Sequence, residues 1–95
     1  MIIKKVRTQF GIEAEVWKLG YISLDRVAKY GSITMNLYFT EDAEQYIDSM
    51  TQLIPEDKFD EYFESGGDLF ENCERFMLEN CDLFMEDGAT HLNVY

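Results

Sequence analysis

The sequence predicts an α+β fold: a small antiparallel β-sheet of three to four strands from the N-terminal half packs against one long and one short amphipathic helix from the C-terminal half. Apolar and polar residues alternate with the period of a strand in the first half, and apolar residues recur at helical spacing after residue 55. With 95 residues, 46% of them hydrophobic, the chain is expected to form a single domain over 1–95.

The strands are expected in the first half of the chain. The most regular alternation covers 32–40, with Ile33, Met35, Leu37 and Phe39 on one face. A second strand covers 12–24, and its parity is lost near Gly20, which predicts a bulge. The polar connection 25–31 would pair these two strands as an antiparallel hairpin. Residues 2–8 are expected to form a short strand or an ordered arm, and 46–53 a further strand.

The helices are expected in the second half. Pro55 and the two acids after it favour a helix start, with proline at the first helical position, and 65–67 stops this short helix. Asp68 is expected to cap a long second helix that Asp87-Gly88 ends. The apolar face of the long helix is predicted to consist of Leu69, Phe70, Cys73, Phe76, Met77, Cys81 and Phe84. Residues 91–95 are expected to form a closing strand or a frayed tail.

Three residues depart from the amphipathic pattern of the long helix. Asn80 falls on its apolar face, and since a buried amide needs a partner, we expect it to bond a backbone group at a strand end or in the tail. Leu78 and Met85 fall toward its acidic side. If exposed, they would be apolar spots that can anchor an interface, although singly exposed apolar residues are also common.

The chain offers no clear signal for catalysis, a metal or a cofactor. Its single histidine, His91, lies among the last five residues, and Gly66-Gly67 lacks the neighbours of a phosphate-binding loop. Cys73 and Cys81 are too far apart for a zinc pair and, on one helix, about 12 Å apart, too far for a disulfide. We therefore expect free thiols, no cofactor, no metal and no enzymatic activity. Without an apolar run long enough for a signal peptide or a membrane span, we expect a cytoplasmic protein that does not contact membranes.

The charge changes sign near residue 40. Residues 1–40 carry six Lys or Arg against three Asp or Glu, whereas 41–95 carry two against sixteen. This step is expected to coincide with the change from strands to helices, so that the acids line the solvent side of the helices. Most of them would simply solvate that side. The sharper hypothesis is a surface for a protein partner, formed by Asp57, Asp60, Glu61, Glu64, Asp68, Glu71, Leu78, Glu79, Asp82, Met85 and Glu86.

Short motifs spread over most of the chain resemble a known group of proteins. They are the run Thr8-Gln9-Phe10-Gly11-Ile12-Glu13, the segments 16–19 and 37–39, Tyr46-Ile47-Asp48-Ser49, and the acidic aromatic run 59–63. Together they resemble small uncharacterised proteins from the tail-morphogenesis region of phages and prophages of Firmicutes; the helix at 73–81 is more acidic than that group's pattern. The resemblance implies a phage-encoded structural or accessory protein that works by contact, within the host cell or associated with the virion.

The sequence therefore leaves two alternative hypotheses for the function, from different classes. The first is a tail or assembly component that contacts other proteins, such as phage structural subunits or a second copy of itself. The second is an acidic inhibitor that mimics nucleic acid and binds a DNA-handling enzyme. Direct binding to nucleic acid is not expected, because Lys4, Lys5 and Arg7 fall short of a basic footprint.

Overall fold

A five-stranded antiparallel sheet, with four strands from residues 2–54 and the fifth from 90–91, packs against three helices, which confirms the α+β class. The computed structural model describes residues 1–8, 10–64 and 66–85, and the backbone alone of 90–91. The elements are β1 (Ile2–Arg7), β2 (Glu13–Asp25), β3 (Tyr30–Tyr38), β4 (Asp48–Ile54), α1 (Glu56–Phe63), α2 (Leu69–Asn80), α3 (Asp82–Met85) and β5 (Thr90–His91). The strand order is β4-β3-β2-β1-β5.

The β2–β3 hairpin is the longest pairing in the sheet, and its predicted bulge is confirmed. The register between the two strands shifts between Leu19 and Tyr21, on either side of Gly20. A Cβ atom at Gly20 would meet the side-chain amide of Asn36 on the facing strand, so a larger residue here would require that amide to turn away. The hairpin closes through Arg26–Lys29, where the carboxylate of Asp25 accepts the N–H groups of Val27 and Ala28 at 3.0 Å.

The two ends of the sheet differ. At one end, β1 pairs with β2 along its length, so the N-terminal strand is paired within the molecule. On the outer side of β1, the two-residue strand β5 pairs with Ile2 and Ile3. Of the segment predicted as a closing strand or a frayed tail, His91 is therefore in a strand, and 92–95 lie outside the described residues. At the other end, β4 pairs with β3 alone. The sheet therefore ends at β4.

The short helix begins one residue later than predicted, and the long helix is interrupted. Pro55 is the N-cap of α1 rather than its first helical residue. Asp68 caps α2 as expected, since its carboxylate accepts the N–H of Glu71 at 3.1 Å. A continuous helix to Asp87-Gly88 is wrong, because α2 ends at Asn80 and Cys81 is extended (φ −88°, ψ 120°) before α3 begins. Asp87-Gly88 itself lies outside the described residues.

The break at Cys81 has a local cause and a packing consequence. The side-chain amide of Asn80 donates to the carbonyl of Phe76 at 3.1 Å and so competes with the helix backbone at its last turn. The change of direction lets both Cys81 and Phe84 enter the core, with the Cys81 sulfur 3.8 Å from that of Met50 in β4. Both cysteines are buried free thiols, as predicted.

The core lies between the helices and one face of the sheet. Ile33, Met35 and Leu37 are fully buried there, as the alternation of β3 predicts. Phe39, predicted on the same face, is instead 52% exposed, because β3 ends at Tyr38. Of the face predicted for the long helix, the five residues from Cys73 to Phe84 are buried, but Leu69 and Phe70 are 44% and 49% exposed. Both belong to the first turn of α2. In the described part of the chain, no helix has the length and hydrophobicity to cross a membrane.

Candidate protein-interaction surface

The residues predicted to form a partner surface do not behave as one set. Most of the acids are exposed, and Met85 is 57% exposed, as expected of an apolar spot at the surface. Leu78, in contrast, is partly buried and packs against the core, so its assignment to the surface is wrong. Glu86 lies outside the described residues. Several of the remaining acids have partners within the molecule.

Asp60 and Glu64 fasten α1 to the β2–β3 turn. The ammonium group of Lys29 lies 2.6 Å from a Glu64 carboxylate oxygen and 3.0 Å from one of Asp60, and the Arg26 guanidinium lies 3.6 Å from the other Glu64 oxygen. The hydrogen bond from Lys29 holds the pKa of Glu64 below its ordinary value, and the same contacts raise the pKa of Lys29. These two acids therefore connect the helices to the hairpin.

Glu79 belongs to a polar network that joins α1 to α2. The Tyr62 hydroxyl donates to the Glu79 carboxylate and accepts from the Asn80 amide, both at 3.1 Å, while the Arg75 guanidinium lies 5.1 Å from the centre of the Tyr62 ring. Burial is the main cause of the raised pKa of Tyr62. The partner expected for Asn80 was wrong: its amide bonds a side chain of α1 and its own helix, because Asn80 faces α1 rather than a strand end or the tail.

Glu74 is the residue that the pattern analysis missed. It is fully buried in α2, and both of its carboxylate oxygens accept from the α-amino group of Met1, which is also buried. The signal was present in the sequence, since Glu74 is four residues after Phe70 and three before Met77, on the helix face assigned to the core. Beside it, burial and the Glu74 charge raise the pKa of the Cys73 thiol to about 12. The cation that Glu74 binds comes from the other end of the chain.

A second acidic region includes β4 and the residues on either side of it in the chain. The change of charge near residue 40 therefore comes before the change from strands to helices, and the prediction that the two coincide is wrong. Residues 41–57, which we call the edge segment, contain six acids and no Lys, Arg or His; the acids are Glu41, Asp42, Glu44, Asp48, Glu56 and Asp57. All six are exposed. Among the described residues only the Asp48 side chain makes a bond, to the N–H of Ser49 next to it. The edge segment is therefore the least neutralised part of the described surface.

The sheet face opposite the helices lies beside this segment. Cross-strand partners share a face, and three rows cross β2, β3 and β4: Lys18, Asn36 and Ser49; Tyr21, Thr34 and Thr51; Ser23, Ser32 and Leu53. We call these nine residues the open face. Its Thr34 and Thr51 hydroxyls are 2.8 Å apart. Tyr21 and Leu53 are 65% and 64% exposed, which makes them its apolar anchors.

No pocket and no metal-binding group of three or more ligating side chains is found among the described residues. Comparisons with protein-family models, with curated proteins and with solved structures each found no significant match.

Proposed function

We propose that this protein is a non-enzymatic structural or accessory protein that acts by contact with other proteins. The observation that carries the proposal is the open face, where two large apolar side chains stand exposed on a sheet otherwise lined by hydroxyl, amide and lysine side chains. A surface of this kind, with apolar anchors and a polar surround, matches the anatomy of non-obligate protein interfaces. The phage or prophage setting is proposed from the sequence resemblance, with the host cytoplasm or the virion as its place of action.

The test is co-expression with the products of the neighbouring genes, followed by purification of the complex and light scattering. We expect a complex with one of them, or a self-assembled oligomer, that the double variant Tyr21→Ser/Leu53→Ser loses. Val27→Ser is the matched control, because Val27 is exposed on the β2–β3 turn and is not one of the nine residues of the open face. A protein that stays monomeric and binds none of these products would overturn the proposal.

The edge segment favours a second function, inhibition of a DNA-handling enzyme by nucleic-acid mimicry. Six carboxylates without a cation resemble a short run of phosphates, and such binding would weaken steeply with salt. Binding of a nuclease or polymerase at low salt, unchanged in Tyr21→Ser/Leu53→Ser, would support mimicry over the open face. No binding at low salt would exclude it.

A further inference from the structure

The outer edge of β4 is an uninterrupted strand edge. β4 pairs with β3 from Asp48 to Ile54 without a register shift, and no described strand lies on its other side. Neighbouring side chains bond one backbone group near each end of β4: the N–H of Ser49 donates to Asp48 at 2.8 Å, and the carbonyl of Leu53 accepts from the Gln52 amide at 3.2 Å. By the two-residue period of a strand, these bonds indicate that Ser49, Thr51 and Leu53 direct their backbone groups outward.

This edge lacks three common protections against strand addition. Sheet edges are commonly guarded by lysine, by proline within the strand, or by a bulge. β4 contains none of these, since its ladder is regular and Pro55 lies after its last residue. Along the chain, Glu41, Asp42, Glu44 and Asp48 precede the exposed backbone groups and Glu56 and Asp57 follow them. Asp48 is the first residue of β4 and Glu56 lies two residues after its end, whereas the carbonyl of Glu41 accepts from Lys18 of β2 at 2.5 Å.

The negative charge of the edge segment favours some binding partners at the β4 edge over others. Pairing of β4 with β4 of a second copy would bring two six-acid segments side by side, and like charges at that distance oppose association. A strand with cations at its ends would instead be attracted by these acids. It would gain backbone hydrogen bonds along β4 and charge complementarity at both ends, while its alternate side chains extend the rows of the open face.

We propose that the outer edge of β4 binds an extended segment of another protein that carries lysine or arginine at its ends, and that this segment adds to the sheet as a sixth strand. The inference rests on the proposed function, since it names the chemistry of the partner and the place where it docks. Acids in the edge segment steer the basic segment and keep copies of the protein from pairing with each other at this edge.

The probe is the blocked peptide Lys-Lys-Val-Thr-Val-Lys-Lys, titrated into the isotope-labelled protein by NMR. We expect the amide signals of Ser49, Thr51 and Leu53 to shift, and hydrogen exchange at Thr51 to slow. The same peptide with every backbone nitrogen methylated keeps the lysine charges but has no backbone N–H donors, and we expect it to lose the Thr51 protection and most of the affinity. A peptide with glutamate in place of lysine should not bind.

Two protein variants of equal net charge separate location from charge. Glu41→Gln/Asp42→Asn/Glu44→Gln removes three acids from the edge segment, and we expect about tenfold weaker binding of the peptide. Glu61→Gln/Glu71→Gln/Asp82→Asn removes three exposed acids from the helices and should leave binding within about twofold. Equal loss in the two variants, equal binding of the methylated peptide, amide shifts confined to the helices, or no binding of the peptide would each overturn the proposal.

Failure here is distinguishable from failure of the proposed function. A neighbouring gene product that binds the edge variant at full strength and protects no β4 amide would overturn strand addition and leave the contact function standing. If no protein partner binds the wild-type chain, the contact function fails whatever the peptide does.

Discussion

Two regions of this molecule carry similar densities of acid and use them differently. In the helical region, residues 58–85, six of the eight acids bond to another group: Asp60, Glu61, Glu64, Asp68, Glu74 and Glu79. In the edge segment, Asp48 is the only acid whose side chain bonds to a described group, and the carbonyl of Glu41 accepts from the Lys18 ammonium at 2.5 Å. The cations behind the strongest helical contacts, the Met1 amine and Lys29, come from the first forty residues. The charge step therefore helps to join the two halves of the fold, and the carboxylates of the edge segment make no described contact of this kind.

The largest effect is expected at Glu74. Glu74→Gln should lower the free energy of unfolding by about 3–5 kcal/mol, because it removes the carboxylate charge that faces the buried Met1 ammonium. Urea unfolding followed by circular dichroism measures this. Glu71→Gln, an exposed position on the same helix, is the control and should stay within about 0.5 kcal/mol of the wild type. Equal effects at the two positions would contradict the claim that the buried Glu74 stabilises the fold whereas the exposed Glu71 does not.

A second prediction concerns the thiol beside Glu74. With a pKa of about 12 against an ordinary 9.0, Cys73 stays protonated and buried in the native protein, so a thiol reagent at pH 8 should modify it only after unfolding. Because the folded pKa is raised, its contribution to stability is complete below pH 9 and is lost as the pH rises toward 12. Fast labelling of Cys73 under native conditions, located by mass spectrometry, would show that the surroundings of Glu74 are open to water.

A smaller effect is expected at the cap of α2. Asp68→Ala should destabilise the protein by about 1 kcal/mol, since it removes the acceptor for the Glu71 N–H. Asp68→Asn keeps an acceptor oxygen and should recover most of the loss, as measured by the same urea transition. If Ala and Asn are equally destabilising, the contribution of Asp68 is its charge rather than the cap.

The contact between Lys29 and Glu64 should appear as a pH dependence. The folded pKa of Glu64 lies below its ordinary 4.5, so its stabilisation is present above pH 4.5 and is lost as the pH falls through the lowered value. Thermal unfolding of the wild type and of Glu64→Gln should therefore differ at pH 6 and converge at lower pH. A constant difference across this range would exclude the ion pair as its cause.

Much of the fold follows from local patterns in the sequence. The alternation of β3, the bulge at Gly20 and the Asp68 cap each depend on residues that are neighbours in the chain, and all three are confirmed. The end of α2 at Asn80 was missed, because it depends on the Asn80 side chain competing for its own helix backbone while it bonds Tyr62 of another helix.

The roles of the acids could not be predicted in the same way. Glu74 and Met1 are separated by 73 positions, and Lys29 lies 35 positions before Glu64. Helical periodicity alone groups Asp60, Glu64 and Glu71 as one solvated set. Only the arrangement of strands and helices decides which carboxylates meet a cation and which face water.

The most direct test of this account is the thermal stability of two triple variants that lose the same charge. Asp60→Asn/Glu64→Gln/Glu79→Gln removes three acids that bond within the helical region, and Glu41→Gln/Asp42→Asn/Glu44→Gln removes three from the edge segment. We predict a lower melting temperature for the first, and for the second a melting temperature equal to or above that of the wild type, because it loses only self-repulsion. If both variants shift in the same direction by the same amount, total charge rather than the position of the acids governs stability, and the account is contradicted.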